Sequence, residues 1–445
     1  MRAGNGAPTQ LVRAYSLAAR ALMPLAYRRS ARKLAENGMD AARIAERMGH
    51  PTLARPAGRL LWFHAASVGE SLSVLRLIAH LGGADSGAEF LITTGTATSA
   101  RIIAGRMPPR CRHQFAPLDS PSAVARFLDH WRPDAGVFVE SELWPNMLRG
   151  AAARGIPLAL LNARISERSA RGWARIGRTA RYLLGHFAMV HCQDARTADH
   201  LRALGCAQAK AGANLKAMAG PLPFDAGQME ALHAQLRGRP LWVMASTHAG
   251  EDEIAIAAHC AVLGRHPEAL MILVPRHPDR AGDIARLVAQ AGMTCTRRSG
   301  GTGSDAAPGT APGTAPGAAP GAAPVYLADT LGEMGLWYRV APLVCIGGSF
   351  VPVGGHNPYE AADGGAAVLH GPLYANFADG YAQMDAAGAA RQVDDARGLG
   401  AAVIGLMDAP DDLAEMQARA RAFAAAQEDR LADLAAELCA ALGLR

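Results

Sequence analysis

The sequence predicts an α/β protein with two Rossmann-like domains, each a parallel sheet covered by helices on both faces. The chain has 445 residues, more than one hydrophobic core usually supports, which favours two or more domains. Short apolar runs alternate with helix-like stretches from about residue 58, and the alternation begins again at about residue 241. This β-α-β alternation is typical of parallel sheets, and its repetition predicts two of them.

Each predicted strand is a short apolar run that precedes a turn containing Gly, Ser or Thr. The runs are 60–64, 90–93, 135–140, 158–161 and 189–192 in the first half, and 241–245, 270–274, 325–328, 343–346 and 366–369 in the second. Two prolines within 220–223 indicate a linker. We therefore expect a basic N-terminal segment at 1–57, domains at 58–219 and 220–410, and a helical segment at 411–445. The Ala-Pro-Gly repeats at 299–324 predict a disordered insert, since they contain too few apolar residues to order by burial.

Positive charge is concentrated at the N-terminal end. Residues 1–60 contain eleven Lys/Arg and three Asp/Glu, a net +8, which leaves −2 of the total of +6 for the rest of the chain. Outside this end, nothing in the sequence resembles the basic surface that nucleic-acid binding requires, so we expect no nucleic-acid partner.

The same N-terminal end has a helical periodicity. At 100° per residue, one face groups Leu11, Tyr15, Ala18, Leu22 and Leu25, with Arg13 and Arg20 opposite and a basic cluster following at 28–33. This pattern predicts a helix that lies on an anionic membrane surface. The two arginines interrupt the apolar run and Pro24 should kink the helix, so we do not expect it to span the bilayer. An amphipathic helix packed on the protein's own core is the alternative.

Cysteine and histidine usage argues against disulfides and metal sites. The seven cysteines are scattered singly, and the fifteen histidines form no spaced pair or Cys/His cluster. We therefore expect reduced thiols, no bound metal and no cofactor.

Three junctions in the first half place polar residues after a predicted strand. Ligands of open parallel sheets bind at the carboxyl ends of strands, which makes Ser67, Gly69 and Glu70 candidates, with Glu70 as a general base. A carboxylate at a helix start is alternatively a partner of the helix dipole. Glu142 follows the next junction, where one of Glu140 and Glu142 is expected to be a structural cap. Arg164 suits an anionic substrate, although an exposed loop arginine is the simpler interpretation.

The junctions of the second half suit an anionic nucleotide. Candidate residues are Ser246, Thr247, Pro275, Arg276, His277, Gly332, Glu333, Met334, Gly348, Ser349, Gly355, His356, Asn357, Pro358, Tyr359 and Glu360. Arg276 is suited to a phosphate, the glycines allow close approach of the backbone, and Pro358 lies near a helix start whose amides would face an anion. Glu360 is suited to a ribose hydroxyl.

The order and spacing of these motifs resemble the 3-deoxy-D-manno-octulosonic acid (Kdo) transferase family. The motifs are S-V-G-E ending at Glu70, E-L-W-P from Glu142, N-A-R-x-S from Asn162, P-R-H-P-x-R from Pro275, G-E-M from Gly332, and G-G-S…G-G-H-N-P-x-E ending at Glu360. The resemblance implies a GT-B fold whose two domains face a cleft, with the acceptor bound by the first domain and CMP-Kdo by the second. It also implies that Glu70 is the general base, that Glu142 and Lys216 support the transition state, and that the 275–276, 332–334 and 357–360 motifs bind CMP.

Two motifs depart from the family pattern. Residues 212–216 read G-A-N-L-K where the family usually has T-G-N-L-K, and Ser99 stands where the family tends to have glycine. The function that the resemblance implies is inverting transfer of Kdo to a lipid A precursor, in lipopolysaccharide synthesis at the cytoplasmic face of the inner membrane. A monophosphate leaving group needs no Mg²⁺ when an arginine and a helix N-terminus stabilise it. The alternatives are a GT-B enzyme that uses a UDP-sugar and a non-catalytic peripheral lipid-binding protein.

Overall fold

The computed structural model describes residues 6–444 apart from 213, 216, 219, 237, 301–320 and 322. The described chain divides into two compact units. The first comprises Met1–Ala219 and Asp429–Arg445, and the second comprises Gly220–Glu428. Most of the predicted insert at 299–324 lies outside the described residues.

The first unit is built on a seven-stranded parallel sheet. Its strands are β1 (Arg59–His64), β2 (Ala88–Thr94), β3 (Cys111–Phe115), β4 (Ala135–Val139), β5 (Leu158–Ala163), β6 (Phe187–Cys192) and β7 (Ala209–Ala211). Its helices are α1 (Gln10–Glu36), α2 (Ala41–Ala45), α3 (Val68–Ala84), α4 (Ala97–Ala104), α5 (Pro121–Trp131), α6 (Pro145–Ala153), α7 (Glu167–Ala174), α8 (Gly177–Leu184) and α9 (Ala195–Ala203). The strand order β3-β2-β1-β4-β5-β6-β7 reverses direction between β1 and β4. This reversal is the topological switch point, where open α/β sheets bind ligands.

The second unit repeats the architecture. Its strands are β8 (Leu241–Thr247), β9 (Leu270–Pro275), β10 (Cys295–Arg297), β11 (Val325–Leu327), β12 (Leu343–Ile346), β13 (Ala367–His370) and β14 (Ala390–Gln392). Its helices are α10 (Ala226–Gln235), α11 (Glu251–Arg265), α12 (Ala281–Gln290), α13 (Met334–Val340), α14 (Tyr359–Asp363), α15 (Ala378–Ala386), α16 (Ala396–Asp408) and α17 (Pro410–Leu442), whose last residues belong to the first unit. The order β10-β11-β9-β8-β12-β13-β14 places the switch point between β8 and β12. The predicted fold class, two Rossmann-like α/β domains with parallel sheets, is confirmed.

All ten predicted strands are present, and the structure adds four that the sequence analysis missed. The missed strands are β3, β7, β10 and β14, which form the four outer edges of the two sheets. Edge strands are only partly covered, and the three residues of β10, for example, are all half-buried. They therefore lack the continuous apolar run by which the inner strands are found.

Helix α1 turns its predicted apolar face outward. Leu22 and Leu25 are 59% and 68% exposed, whereas Val12, Met23 and Leu34 are its buried residues. The helix continues through Pro24 without interruption. Among the described residues, no helix is both long enough and apolar enough to cross a membrane.

Candidate functional site

His64, at the carboxyl end of β1, organises the switch point of the first unit. Its Nε2 lies 3.1 Å from Oε2 of Glu142, and its Nδ1 lies 3.0 Å from Oγ1 of Thr93. A carboxylate only accepts hydrogen bonds, so His64 donates through Nε2. The ring is 2% exposed, and this fixed orientation makes His64 the residue that positions Glu142.

Glu142 is held as a carboxylate. Burial raises its pKa, but the hydrogen bond and charge of His64, together with a hydrogen bond from Nε1 of Trp144, outweigh burial and leave the pKa below its ordinary value. Glu142 therefore keeps a negative charge beside the switch point at neutral pH.

Glu70 lies at the start of α3 and forms a reciprocal cap with Ser67. The backbone N–H of Glu70 donates to Oγ of Ser67 at 3.3 Å, while the Glu70 carboxylate accepts from Oγ of Ser67 at 2.6 Å and from the amide of Ala66 at 2.8 Å. Glu70 therefore does act as a partner of the helix start, in a variant of the capping box in which the carboxylate accepts from the amide of Ala66 instead of that of the N-cap residue Ser67. This role does not exclude a chemical one, because the side chain also lies beside two other carboxylates.

The surroundings of Glu70 shift its pKa in the opposite direction to that of Glu142. Burial raises the pKa of Glu70, and the charges of Glu140 and Glu142 raise it further, against the lowering effect of the bonds from Ser67 and Ala66. Carboxylates whose pKa values are pushed apart by their surroundings are a recurrent feature of acid–base sites.

Two residues at the carboxyl edge of the first sheet have a left-handed backbone. Glu140 has a φ of 61° and Asn162 a φ of 54°. Oδ1 of Asn162 accepts from the amide of Leu215 at 3.2 Å. Such conformations are uncommon outside glycine and concentrate at functional sites. Glu140 was expected only as a possible cap and proves to be part of the carboxylate group around Glu70.

The remaining candidates of the first unit differ in position. Ser67 and Gly69 are exposed at the start of α3, and a Cβ on Gly69 would meet open space. Arg164 is exposed after β5, in agreement with the simpler interpretation given for it. Lys216 lies outside the described residues.

Glu251 shapes the glycine-rich turn at the switch point of the second unit. Its Oε2 accepts from the amides of His248 and Gly348 at 2.9 and 2.7 Å, and its Oε1 accepts from the amides of Ser349 and Phe350 at 3.0 and 2.9 Å. The carboxylate is fully buried. It therefore occupies the anion-binding concavity that successive backbone amides form.

This arrangement changes the expected role of the turn. The amides of Gly348 and Ser349 are occupied by Glu251, and Oγ of Ser349 donates to the carbonyl of Ile346 and accepts from the amide of Gly371. Ser349 and Thr247 are both fully buried. The polar groups of Gly348 and Ser349 named here are therefore occupied within the protein, and Ser349 supports the turn from beneath.

A histidine pair lies above the turn. Nε2 of His248 is 2.9 Å from Nε2 of His356, and the rings stack at 5.1 Å. His356 also donates to the backbone carbonyl of Ser246, whose φ is 58°. Burial, followed by the charges of His248 and Arg276, lowers the pKa of His356 to about 4. His356 is therefore neutral and accepts from His248.

Gly348 is required beside this pair. Its φ is 66°, and a Cβ at this position would come within 2.9 Å of Cδ2 and 3.0 Å of Nε2 of His356. Any other residue would push the ring away from His248. Gly355, with a φ of 80°, donates its amide to the carbonyl of Gly348 at 2.7 Å and holds the other side of the turn.

Arg276 follows β9 and is exposed. Its guanidinium forms no hydrogen bond or ion pair with a described side chain, whereas Arg280, four residues on, pairs with the buried Asp252. The ring of His277 lies 5.8 Å from that of His248, and Pro275 is buried in β9. The edge of the sheet therefore presents one exposed guanidinium next to several imidazoles, which suits a phosphate.

Glu333 is bound by an arginine that the sequence analysis did not select. Nη2 and Nε of Arg298 donate to its two carboxylate oxygens at 2.6 and 3.2 Å, and Arg298 also lies over the ring of Trp337. Gly332, with a φ of 88°, makes the turn before Glu333, and Met334 begins α13. No sequence pattern links Arg298 to Glu333, because the insert separates them along the chain.

The last motif is held by its own side chains. Nδ2 of Asn357 donates to Glu360 at 3.1 Å, and Oδ1 of Asn357 accepts from the amide of Tyr359. Tyr359 is 5% exposed and its ring stacks on Phe423. Pro358 precedes α14, which has only five residues and therefore a weak dipole. Asn357 occupies the first free amide of this helix.

The structure brings together His64, Glu70, Glu140 and Glu142 in the first unit, and His248, Arg276, His277 and His356 in the second. Among the described residues, no group of three or more His, Cys, Asp or Glu is arranged to hold a metal ion. The roles of His64, Glu251 and Arg298 were missed. The one available signal was position, since His64 and Glu251 adjoin strand ends that the sequence analysis had already selected.

Comparisons with known proteins agree on one family. A family model described as 3-deoxy-D-manno-octulosonic-acid transferase (kdotransferase) matches residues 42–219. A 3-deoxy-D-manno-octulosonic acid transferase of Bordetella pertussis is 34% identical over 93% of this chain and 95% of that protein. A probable mitochondrial 3-deoxy-D-manno-octulosonic acid transferase of Arabidopsis thaliana is 34% identical over 76% of this chain and 74% of that protein.

Solved structures agree on the fold. A glycosyltransferase from Rickettsia africae superposes with a TM-score of 0.58 at 10% identity, covering 87% of this chain and 99% of that one. A putative UDP-N-acetylglucosamine 2-epimerase from Listeria monocytogenes gives a TM-score of 0.57 at 12% identity, covering 87% and 98%. These likenesses establish a GT-B-like fold, while the sequence relatives establish the family. The chain therefore belongs to the 3-deoxy-D-manno-octulosonic acid transferase family, and it is a glycosyltransferase.

Proposed function

We propose that the protein transfers Kdo from CMP-Kdo to a hydroxyl group of a lipid A precursor, with inversion at the anomeric carbon. The observation that carries this proposal is the pair of carboxylates at the first switch point, with the pKa of Glu70 raised and that of Glu142 lowered. The family assignment supplies the sugar, and the motifs shared with the family supply the donor and the acceptor.

In this proposal, Glu70 is the general base. Its carboxylate takes the proton of the acceptor hydroxyl as the oxygen attacks the anomeric carbon of Kdo, and the bond from that carbon to the CMP phosphate oxygen breaks. A raised pKa favours this role, because a base near the working pH transfers protons most effectively. Glu142, whose lowered pKa and contact with His64 keep it a carboxylate at neutral pH, stabilises positive charge that develops on the sugar ring.

The second unit binds the CMP portion. Arg276 is exposed and has no described ionic partner, so it is free to bind the phosphate. The amides of the 347–350 turn are occupied by Glu251, and the phosphate is therefore recognised by side chains more than by this turn. In this proposal, CMP departs without a metal because a guanidinium neutralises the phosphate.

We extend the proposal to the membrane. Leu17, Leu22 and Leu25 are 66%, 59% and 68% exposed on α1, beside the basic cluster at 28–33. Exposed leucines next to arginines are typical of a helix that lies at an anionic lipid surface. This supports peripheral association with the cytoplasmic face of the inner membrane, where a lipid acceptor would be available.

Incubation with CMP-Kdo and a lipid A precursor, followed by mass measurement of the lipid, tests the transfer. We expect a mass increase equal to Kdo units, and a loss of about 10²–10⁴-fold in rate for Glu70→Gln. Glu415→Gln, an exposed carboxylate change in α17, is the matched control and should keep full activity. Protection against heat by UDP-sugars, without protection by CMP or CMP-Kdo, would refute the donor assignment and favour the UDP-sugar alternative.

A further inference from the structure

A cavity with an apolar wall and several arginines lies in the first unit between α1, α5 and α6. Its volume is about 330 Å³, and its lining includes Ser16 and Arg20 from α1, Val124 from α5, and Asn146, Arg149 and Arg154 from α6. Three arginines therefore converge on a space large enough for a small anionic group. None of the described residues that line it is acidic.

Two of the three arginines have no carboxylate partner among the described residues. Nη1 of Arg149 donates to Oγ of Ser16 at 3.0 Å, which fixes the direction of its guanidinium, and Arg20 is exposed at the cavity edge. Arg154 differs, because it forms an ion pair with Asp129 at 2.6 Å. Cations collected without a counter-charge repel one another, and an anion between them removes this cost.

The chemistry of the cavity favours a phosphate monoester. Such a group carries a charge of about −1.5 to −2 at neutral pH and offers three acceptor oxygens. Guanidinium groups match this geometry with paired hydrogen bonds. The wall formed by Val124 and its neighbours is apolar, so the cavity accommodates the carbon atoms to which a phosphate is attached.

The surroundings connect the cavity to a lipid and to the carboxylate site. Helix α1 forms one wall and exposes Leu17 to the outside of the unit. Asn146 forms another, one residue into the helix that follows Trp144, and its amide groups donate to Asp119 at 3.1 and 2.8 Å. The charge of His64 in turn acts on the Asp119 carboxyl, so only a few side chains separate the cavity from Glu142.

We propose that this cavity binds the phosphate monoester of an anionic lipid and so seats the acceptor beside the carboxylate site. The proposal rests on the proposed function for the identity of the acceptor as a lipid. The recognition itself requires only the arginines and the cavity, and it is measurable without any transfer of sugar.

Vesicle binding tests the inference. Phosphatidylcholine vesicles containing phosphatidic acid, a phosphate monoester, are compared with vesicles containing phosphatidylglycerol, a diester, at equal surface charge. We expect the protein to prefer the monoester by roughly tenfold, which corresponds to about 1.4 kcal/mol. The double variant Arg20→Gln/Arg149→Gln should lose this preference.

A matched double variant separates site binding from general attraction. Arg28→Gln/Arg29→Gln removes the same charge from exposed positions of α1 outside the cavity lining, so binding to both vesicles should weaken and the preference should remain. Glu70→Gln should keep the preference, which distinguishes failure of this site from failure of the proposed transfer. A preference that survives in Arg20→Gln/Arg149→Gln, or is absent in the unaltered protein, overturns the inference. Thermal protection by inorganic phosphate without any vesicle preference would assign the cavity to free phosphate and overturn the proposal that it binds a lipid.

Discussion

Replacement of Glu251 by glutamine should destabilise the second unit strongly. The carboxylate is fully buried and accepts from four backbone amides, those of residues 248, 348, 349 and 350. A glutamine side chain has the same shape but offers one oxygen with two lone pairs and a donor group in place of the other oxygen. Two amides therefore lose their acceptor and face an N–H group.

The expected loss of unfolding free energy follows from these two amides. Each buried donor left without a partner costs about 1–3 kcal/mol, so we expect a loss of roughly 3 kcal/mol after partial relaxation. For a unit of this size, 1 kcal/mol corresponds to about 2–4 °C, and the melting temperature should fall by about 6–12 °C. The effect should be measured by thermal and urea unfolding, observed by circular dichroism.

Glu253→Gln is the matched control. Glu253 lies in the same first turn of α11 but is exposed, so its loss removes only the favourable interaction with the helix dipole, about 0.3–1 kcal/mol. If the two variants unfold within about 1 kcal/mol of each other, Glu251 does not organise the turn. The histidine pair above it would then need another explanation.

Three further predictions concern pH and membranes. Ser67→Ala removes a hydrogen bond that lowers the pKa of Glu70, so the acidic limb of the pH–rate profile should move to higher pH; an unmoved limb contradicts the role of Glu70. Burial lowers the pKa of His259 to about 4 from 6.5, so the unfolded chain binds the proton first and stability should fall as the pH drops from about 6.5 towards 4. Urea unfolding should show that His259→Gln flattens this dependence, and an equally steep dependence would exclude the residue as its source. Leu22→Ser/Leu25→Ser should weaken binding to anionic vesicles in a flotation assay without lowering the melting temperature, since both side chains are exposed; a lower melting temperature with unchanged binding would indicate that they pack on protein.

The sequence predicts the inner strands and fails at the sheet edges for one physical reason. A strand such as β12 is buried on both faces, and all four of its residues are apolar and fully covered. The edge strand β14 has one buried and two exposed residues, so its composition is that of a loop. Pairing with a neighbouring strand, which the sequence does not reveal, is what makes it a strand.

The candidate site likewise contains residues that the sequence reveals and residues that it does not. Residues such as Glu70 and Arg276 were found because they lie in the turn or helix start just beyond an apolar run, and strand ends are where parallel sheets bind ligands. Arg298 was not found, because its partner Glu333 is 35 residues away in the sequence. The role of Glu251 was missed for a different reason. A carboxylate in the first turn of a helix has an ordinary explanation, and only the structure shows that it holds four amides.

In each unit, a residue with a left-handed backbone lies at an irregularity in strand pairing. In β8 the pairing with β9 shifts register between Ala245 and Thr247, which puts Ser246 at the irregularity with a φ of 58°. In β5 the pairing with β6 shifts between Leu160 and Ala163, a stretch that contains Asn162. Each such conformation costs about 1–3 kcal/mol and persists only where surrounding contacts enforce it. Each also directs an acceptor to a defined donor: the backbone carbonyl of Ser246 to His356, and the side-chain oxygen Oδ1 of Asn162 to the backbone N–H of Leu215. Glycine at either position would relieve the strain. At 162 it would remove the side chain that bonds to Leu215, whereas at 246 it would keep the backbone carbonyl that bonds to His356. We therefore expect Asn162→Gly to impair the first unit's site, and Ser246→Gly to be tolerated with the His248–His356 pair intact.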